Sequence, residues 1–259
     1  VFQEGITFMN TVTVNDIFGF LNEKFPVTDA AEFDNAGFLV GDGEAKVGKA
    51  LVTLDCDLSA IRTAAETDCN LIISHHPVIF GGLKNCKSGS VVYELIRKGI
   101  SVISMHTNLD VGKGGVNDCL CERLGLTDIT PVKAHDGFCV RIGNISHCSA
   151  DGLAEIISKS LNVRVKYTTC SHAVSKVLVC SGSGGEFLSD AADFGCDALI
   201  TADIKHNVFI DSQLYDIAVY DAGHFNTEDV VVEPLAKMLR EEYHSIEFIS
   251  SHNTSIKYL

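Results

Sequence analysis

The chain reads as an α/β protein of two lobes with similar topology and largely parallel sheets. Three observations predict this. Short apolar runs alternate with helical patterns, a rhythm that calls for crossover connections and parallel strands. The rhythm closes near residue 126 and restarts near 138. At 259 residues the chain is long enough for two modest cores.

The elements follow in order. Thr13 to Phe25 carries Val14, Ile17, Phe18, Leu21 and Phe25 at helical spacing, with Pro26 as a stop. Glu32 to Gly41, interrupted by Asp34, Asn35 and Gly37, reads as a loop or turn. Then come strand Ala50–Leu54, helix Leu58–Thr67, strand Leu71–Ile73, helix Val91–Lys98, strand Val102–Met105 and helix Gly115–Leu124. The second set is strand Phe138–Ile145, helix Leu153–Leu161, strand Val163–Tyr167 and strand Val177–Cys180, with a short helix reaching Ala192. Strands Ala198–Thr201 and Ile217–Tyr220 complete it. Val230 to Tyr243 is helical, with a break expected near Glu233 because Pro234 suits a first helical position. The expected division is 9–126 for the first lobe, 127–205 for the second, and 206–259 for a segment returning to the cleft between them. Residues 1–8 precede Met9 and are read as a short extension outside the fold.

The formal charge of −14 argues against nucleic acid or an anionic membrane surface as partner and favours a cytoplasmic protein. No apolar run approaches the roughly 20 residues that span a bilayer. Ten cysteines in a chain of this size, without secretory features, are expected as free thiols.

Chemistry gathers where strands end. Leu71-Ile-Ile-Ser is an apolar strand run that delivers His75 and His76 before Pro77 halts the ladder. Open α/β sheets bind ligands at such carboxyl ends. Asp55, His106, Asp110, His224 and Glu228 occupy similar places. His106-Thr-Asn-Leu-Asp110 and His224-Phe-Asn-Thr-Glu228 share the order His, Asn, carboxylate, an echo that duplication and coincidence both explain. Imidazoles and carboxylates without cysteine suit Zn, Fe, Mn or Co. Five or six such groups exceed the four of a structural zinc site and suit two ions bridged by a carboxylate. The glycine-rich Ser181–Gly185 could offer amides to a phosphate or be a plain turn. His135, His147, His172, His244 and His252 lie outside any motif and read as ordinary groups, and the role of His206 is open.

Ser74-His-His-Pro77, His106-Thr-Asn-Leu-Asp110 and Ala222-Gly-His-Phe-Asn-Thr-Glu228, in this order, resemble the Nif-three-like family, the GTP cyclohydrolase 1 type 2 homologues. Asp34 to Gly41, Asn117 to Leu126, Gly182 to Gly184 and Thr201 to Lys205 are similar to family segments as well. The resemblance implies two intertwined α/β lobes, a dinuclear site in the cleft between them and a hexameric ring. It makes His75, His76, Asp110 and His224 metal ligands and Glu228 the bridge, with His106 beside them either binding metal or orienting a ligand or substrate. It further implies a hydrolase in which two divalent ions activate water against a nucleotide or phosphate-containing substrate. A non-catalytic metal-binding or regulatory scaffold would use the same ligands. A metallophosphoesterase of another fold is disfavoured, because its early Asp-any-His pair is absent.

Overall fold

The computed structural model describes residues 11–257. Met9 and the short extension lie outside them. The first half runs α1 (Val14–Lys24), β1 (Gly37–Val40), β2 (Lys49–Thr53), α2 (Leu58–Glu66), β3 (Leu71–Ser74), α3 (Val91–Lys98), β4 (Ser101–Ser104), α4 (Thr107–Val111) and α5 (Val116–Arg123). A hairpin, β5 (Thr127–Lys133) and β6 (Cys139–Cys148), leads to the second half. That half runs α6 (Ala150–Leu161), β7 (Lys166–Tyr167), β8 (Val174–Ser183), α7 (Leu188–Asp193), β9 (Ala198–Ala202), α8 (His206–Tyr215), β10 (Ala218–Asp221), α9 (His224–Glu228) and α10 (Val232–Glu242). The last strand is β11 (Glu247–Ser251).

The two halves repeat one plan. In the first sheet, ordered β1-β4-β3-β2-β11, strands β4, β3, β2 and β11 are parallel and β1 is antiparallel to β4. In the second, ordered β5-β6-β8-β9-β10-β7, the centre β8-β9-β10 is parallel and the margins are antiparallel. The run β1-β4-β3-β2 thus matches β7-β10-β9-β8 position for position. The C-terminal segment serves both sheets, giving β10 to the second and β11 to the first.

Side-chain alternation explains how the halves interlock. Ala50 and Val52 of β2 face the same core as Ala198 and Ile200 of β9, and that core also takes Ile17, Leu21, Leu120, Leu153, Ile157 and Leu239 from helices of both halves. The intervening Leu51 and Leu199 point the other way, into separate cores under α2 and α3 and under α7 and α8. Both faces of each sheet are covered, as strands of uninterrupted apolar residues require. One shared central core is what intertwines the lobes.

Local chemistry sets the element ends. Thr13 caps α1 in a reciprocal box with Asp16, Asp57 caps α2, and Ser149 caps α6. The expected strand over 163–167 contracts to Lys166–Tyr167, because only these residues pair with β10. The expected loop over 32–41 contains β1, an edge strand whose pairing with β4 leaves no periodic trace in four residues. The expected break near Glu233 falls slightly earlier, where a 3-10 turn over Asp229–Val231 passes into α10. Pro234 is then the third helical residue, inside the first turn, where an N–H has no helical partner to lose. No helix among the described residues is long and apolar enough to cross a membrane. All ten cysteines are free.

Candidate metal centre

The carboxyl ends of β3, β4 and β10 converge on one cleft. His75 and His76 follow β3, Asp110 sits in α4 after β4, and His224 and Glu228 open and close α9 after β10. All five side chains come together, with His106 adjacent. His75 Nε2 lies 3.6 Å from Asp110 Oδ1 and 3.7 Å from Glu228 Oε1. His76 Nε2 and His224 Nε2 each lie 3.0 Å from Glu228 Oε2 and 3.4 Å from each other. The rings of His75 and His106 have centroids 5.1 Å apart.

Each imidazole is braced from behind. Nδ1 of His75 lies 2.9 Å from the Met105 carbonyl, Nδ1 of His76 2.7 Å from Asp55 Oδ1, and Nδ1 of His224 2.6 Å from Asp203 Oδ2. Nδ1 of His106 lies 2.8 Å from Asp34 Oδ1. These oxygens accept an Nδ1–H, which leaves each Nε2 lone pair facing inward, the tautomer a metal-ligating histidine needs. The inward lone pairs of His75, His76 and His224 beside two carboxylates repel unless something positive lies between them. Accordingly, buried His75 Nε2 and Glu228 Oε2 find no hydrogen-bond partner among the side chains. This donor set fits a divalent cation.

The titration shifts point the same way. Burial alone would hold His75 and His76 neutral, but the carboxylates of Asp110 and Glu228 raise the first, and the hydrogen bond to Asp55 with the close Glu228 carboxylate lifts the second to about 10. The Glu228 contact and then Asp203 lift His224 to about 9 against its burial. Glu228 is held well below the usual carboxylate range: burial opposes ionisation, yet the charge on His75 and contacts with His224, His75 and His76 win. Burial instead raises Asp110, despite His75. A cation would replace the protons those rings attract.

Close packing fixes Glu228. Gly182, at φ +60°, passes so near that an added Cβ would stand 2.2 Å from Glu228 Oε1. The amides of Ser181 and Gly182 donate to Asn117 Oδ1 and Thr227 Oγ1, at 2.7 Å and 3.1 Å. These two amides are therefore engaged inside the protein, where Ser181 and Gly182 belong to the end of β8 rather than to a turn and dock it onto α5 and α9. Ser181 Oγ also donates to Asp110 Oδ1 at 3.2 Å.

Asp34 and Asp203 were not singled out from the sequence as acting at the site. Their signal lay in the segments Asp34–Gly41 and Thr201–Lys205, but a brace is defined by the ring it reaches, 72 and 21 residues away. Burial raises Asp34, but contacts from His106 and Thr107 outweigh it and hold this carboxyl far below its ordinary value. His206 is exposed at the start of α8, apart from the cluster. Three histidines outside any motif do have carboxylate partners: His135 pairs with Asp190, His172 with Asp197 and Asp216, and His252 with Asp229. These partners are distant in sequence or lie outside the cleft, so spacing could not reveal them.

Two mixed sheets around a shared core, with a His, Asp and Glu cluster at their strand ends, define an α/β protein with a candidate metal centre. The chain belongs to the Duf34/NIF3 (NGG1p interacting factor 3) family, whose model matches residues 12–255. It is 32% identical over 250 residues to the GTP cyclohydrolase 1 type 2 homolog of Clostridium perfringens, covering 92% of this chain and 95% of that one. A hypothetical protein of Staphylococcus aureus superposes with a TM-score of 0.90 at 25% identity, over 96% of this chain and 100% of that chain. A Bacillus cereus protein related to NIF3 shares the fold, with a TM-score of 0.87 at 19% identity over 96% and 99% of the two chains.

Proposed function

We propose that the protein is a metal-dependent hydrolase with two divalent ions per chain, Zn, Fe, Mn or Co, bridged by Glu228. One observation carries this reading: of three candidate ligand groups, His75 with Asp110 and His76 with His224 share Glu228 and no other residue, while the third joins His75 and His76 to His106. Bound there, two such ions would supply Lewis acidity and lower the pKa of water. The braced rings keep the ligands from rotating, so little reorganisation is needed when charge develops. His106, tied to Asp34 through Nδ1 and ring to ring with His75, is assigned to positioning and proton exchange at Nε2 rather than to metal binding. The name of the curated relatives suggests a nucleotide or another phosphate-containing molecule as the first substrate class to test. A cytoplasmic homo-oligomer, a hexamer by family resemblance, completes the reading.

A second reading is a metal-binding scaffold. The burial of His75 and Glu228 favours it, since ions there would pin the two halves together whether or not they turn over substrate. Screening the metal-loaded protein against nucleotides and phosphate esters, beside Glu228→Gln, separates the two. Hydrolysis lost in a variant that remains folded supports the enzyme. Two tightly held ions per chain with no turnover of any substrate return the scaffold.

A further inference from the structure

A cavity of about 440 Å³ opens over the cluster. Its floor is Asp110 and Glu228, both buried, and its walls come from both halves. Phe33 and Phe80, from loops of the first half, have ring centroids 6.4 Å apart, while Phe138 and Phe187 of the second half are stacked at 6.0 Å and 16°. Phe33 is 69% exposed and Phe80 54%, an unusual amount of bare aromatic surface beside a polar centre. Two further carboxylates, Asp136 and Glu186, line the cavity and are exposed to solvent, so they belong to its rim. No lysine or arginine lines it, and none pairs with either rim carboxylate among the described residues.

The rim is held in place. Asp136 lies at the tip of the β5–β6 hairpin, where its Oδ1 accepts the Phe138 amide at 2.8 Å. The neighbouring His135 donates its main-chain amide to buried Asp190 at 2.6 Å and binds the same carboxylate through its ring at 2.7 Å. Glu186 immediately precedes Phe187 in the 3-10 turn after β8. Aromatic faces flanked by carboxylates attract cationic groups and repel anions. A phosphate at this end would meet two like charges, and the one imidazole beside them, His135, is already paired with Asp190.

We propose that this cavity selects substrates with a flat, cationic, N–H-rich head of the amidine or amino-heterocycle class, held between the phenylalanines and the carboxylates Asp136 and Glu186. Any phosphate or other anionic end then points to the floor. This assignment rests on the metal-centre reading for the floor but not for the rim.

Benzamidine and its neutral isostere benzamide probe the rim, and phenyl phosphate probes the floor. Binding of each is measured by calorimetry or ligand-observed NMR on metal-loaded protein, with metal content determined in every sample. Benzamidine should bind roughly tenfold tighter than benzamide. Asp136→Asn with Glu186→Gln should erase that preference and leave phenyl phosphate binding and metal content unchanged. Equal binding of benzamidine and benzamide, or a preference that survives the double substitution, overturns the proposal. In Glu228→Gln the benzamidine preference should persist while phenyl phosphate binding falls. If phenyl phosphate binding ignores Glu228, the metal reading fails and the rim assignment stands.

Discussion

In the first half of the molecule His106-Thr-Asn-Leu-Asp110 follows β4 and forms α4; in the second, His224-Phe-Asn-Thr-Glu228 follows β10 and forms α9. Both asparagines anchor their helix to the end of an earlier one, Asn108 donating to the Phe25 carbonyl after α1 and Asn226 to the Leu161 carbonyl of α6. The histidines diverge. Both are held through Nδ1 by an aspartate, but His224 aims Nε2 at Glu228 whereas His106 faces the rings of His75 and His76. The carboxylates diverge too: Glu228, one methylene longer than Asp110, touches both ligand groups, while Asp110 belongs to one. On the proposed reading, one repeated backbone unit would supply a bridge in one half and a terminal ligand in the other, with side-chain length deciding which.

Shortening the bridge tests this most severely. Glu228→Asp gives the second half the carboxylate of the first, and metal content should fall from about two ions per chain to one, read by elemental analysis. Unchanged stoichiometry would remove side-chain length as the cause. The next contrast pairs the histidines: His224→Ala should lose about one ion per chain, whereas His106→Ala should keep both and lose turnover instead. Equal metal loss in the two variants would make His106 a ligand.

The asparagines sharpen the comparison at the level of stability. Asn108 is fully buried and makes two good bonds, also accepting the His106 amide at 2.9 Å. Asn226 makes a longer bond of 3.2 Å and leaves its Oδ1 without a partner. In urea melts Asn108→Ala should cost about 2–3 kcal/mol and Asn226→Ala about 1 kcal/mol. The smallest effect is expected at the second-half hairpin. The Asp190 contact raises the pKa of His135 above its ordinary 6.5. A raised histidine contributes stability that is full below the unfolded value and lost as pH rises through the folded one. The tip should therefore loosen on the alkaline side, and an NMR titration of His135 should fall to the ordinary midpoint in Asp190→Asn.

Much of this comparison could be read from the chain. The apolar runs ending at Ser74, Ser104 and Asp221 announce buried parallel strands, and a histidine or carboxylate just past such an end is conspicuous because nothing in a strand core calls for it. The repeated His-Asn-carboxylate pattern also corresponds to a repeated structural unit. Less legible were elements without periodicity: β1, whose four residues rely on β4 for their hydrogen bonds, and β11, which pairs with a strand, β2, almost 200 residues earlier. The braces Asp34 and Asp203 and the rim carboxylate Asp136 depend on tertiary approach, which residue spacing does not encode.

The separation of 148 residues between His76 and His224 has a bearing on how the protein is made. During synthesis His75, His76 and Asp110 leave the ribosome well before α9 exists, so the emerging chain carries a few weak, dispersed ligands and lacks the carboxylate they are to share. Strand β11, which closes the first sheet against β2, emerges later still. If the cluster binds metal as proposed, tight uptake would belong to the finished chain, and an occupied centre would mark that translation and folding of both halves are complete.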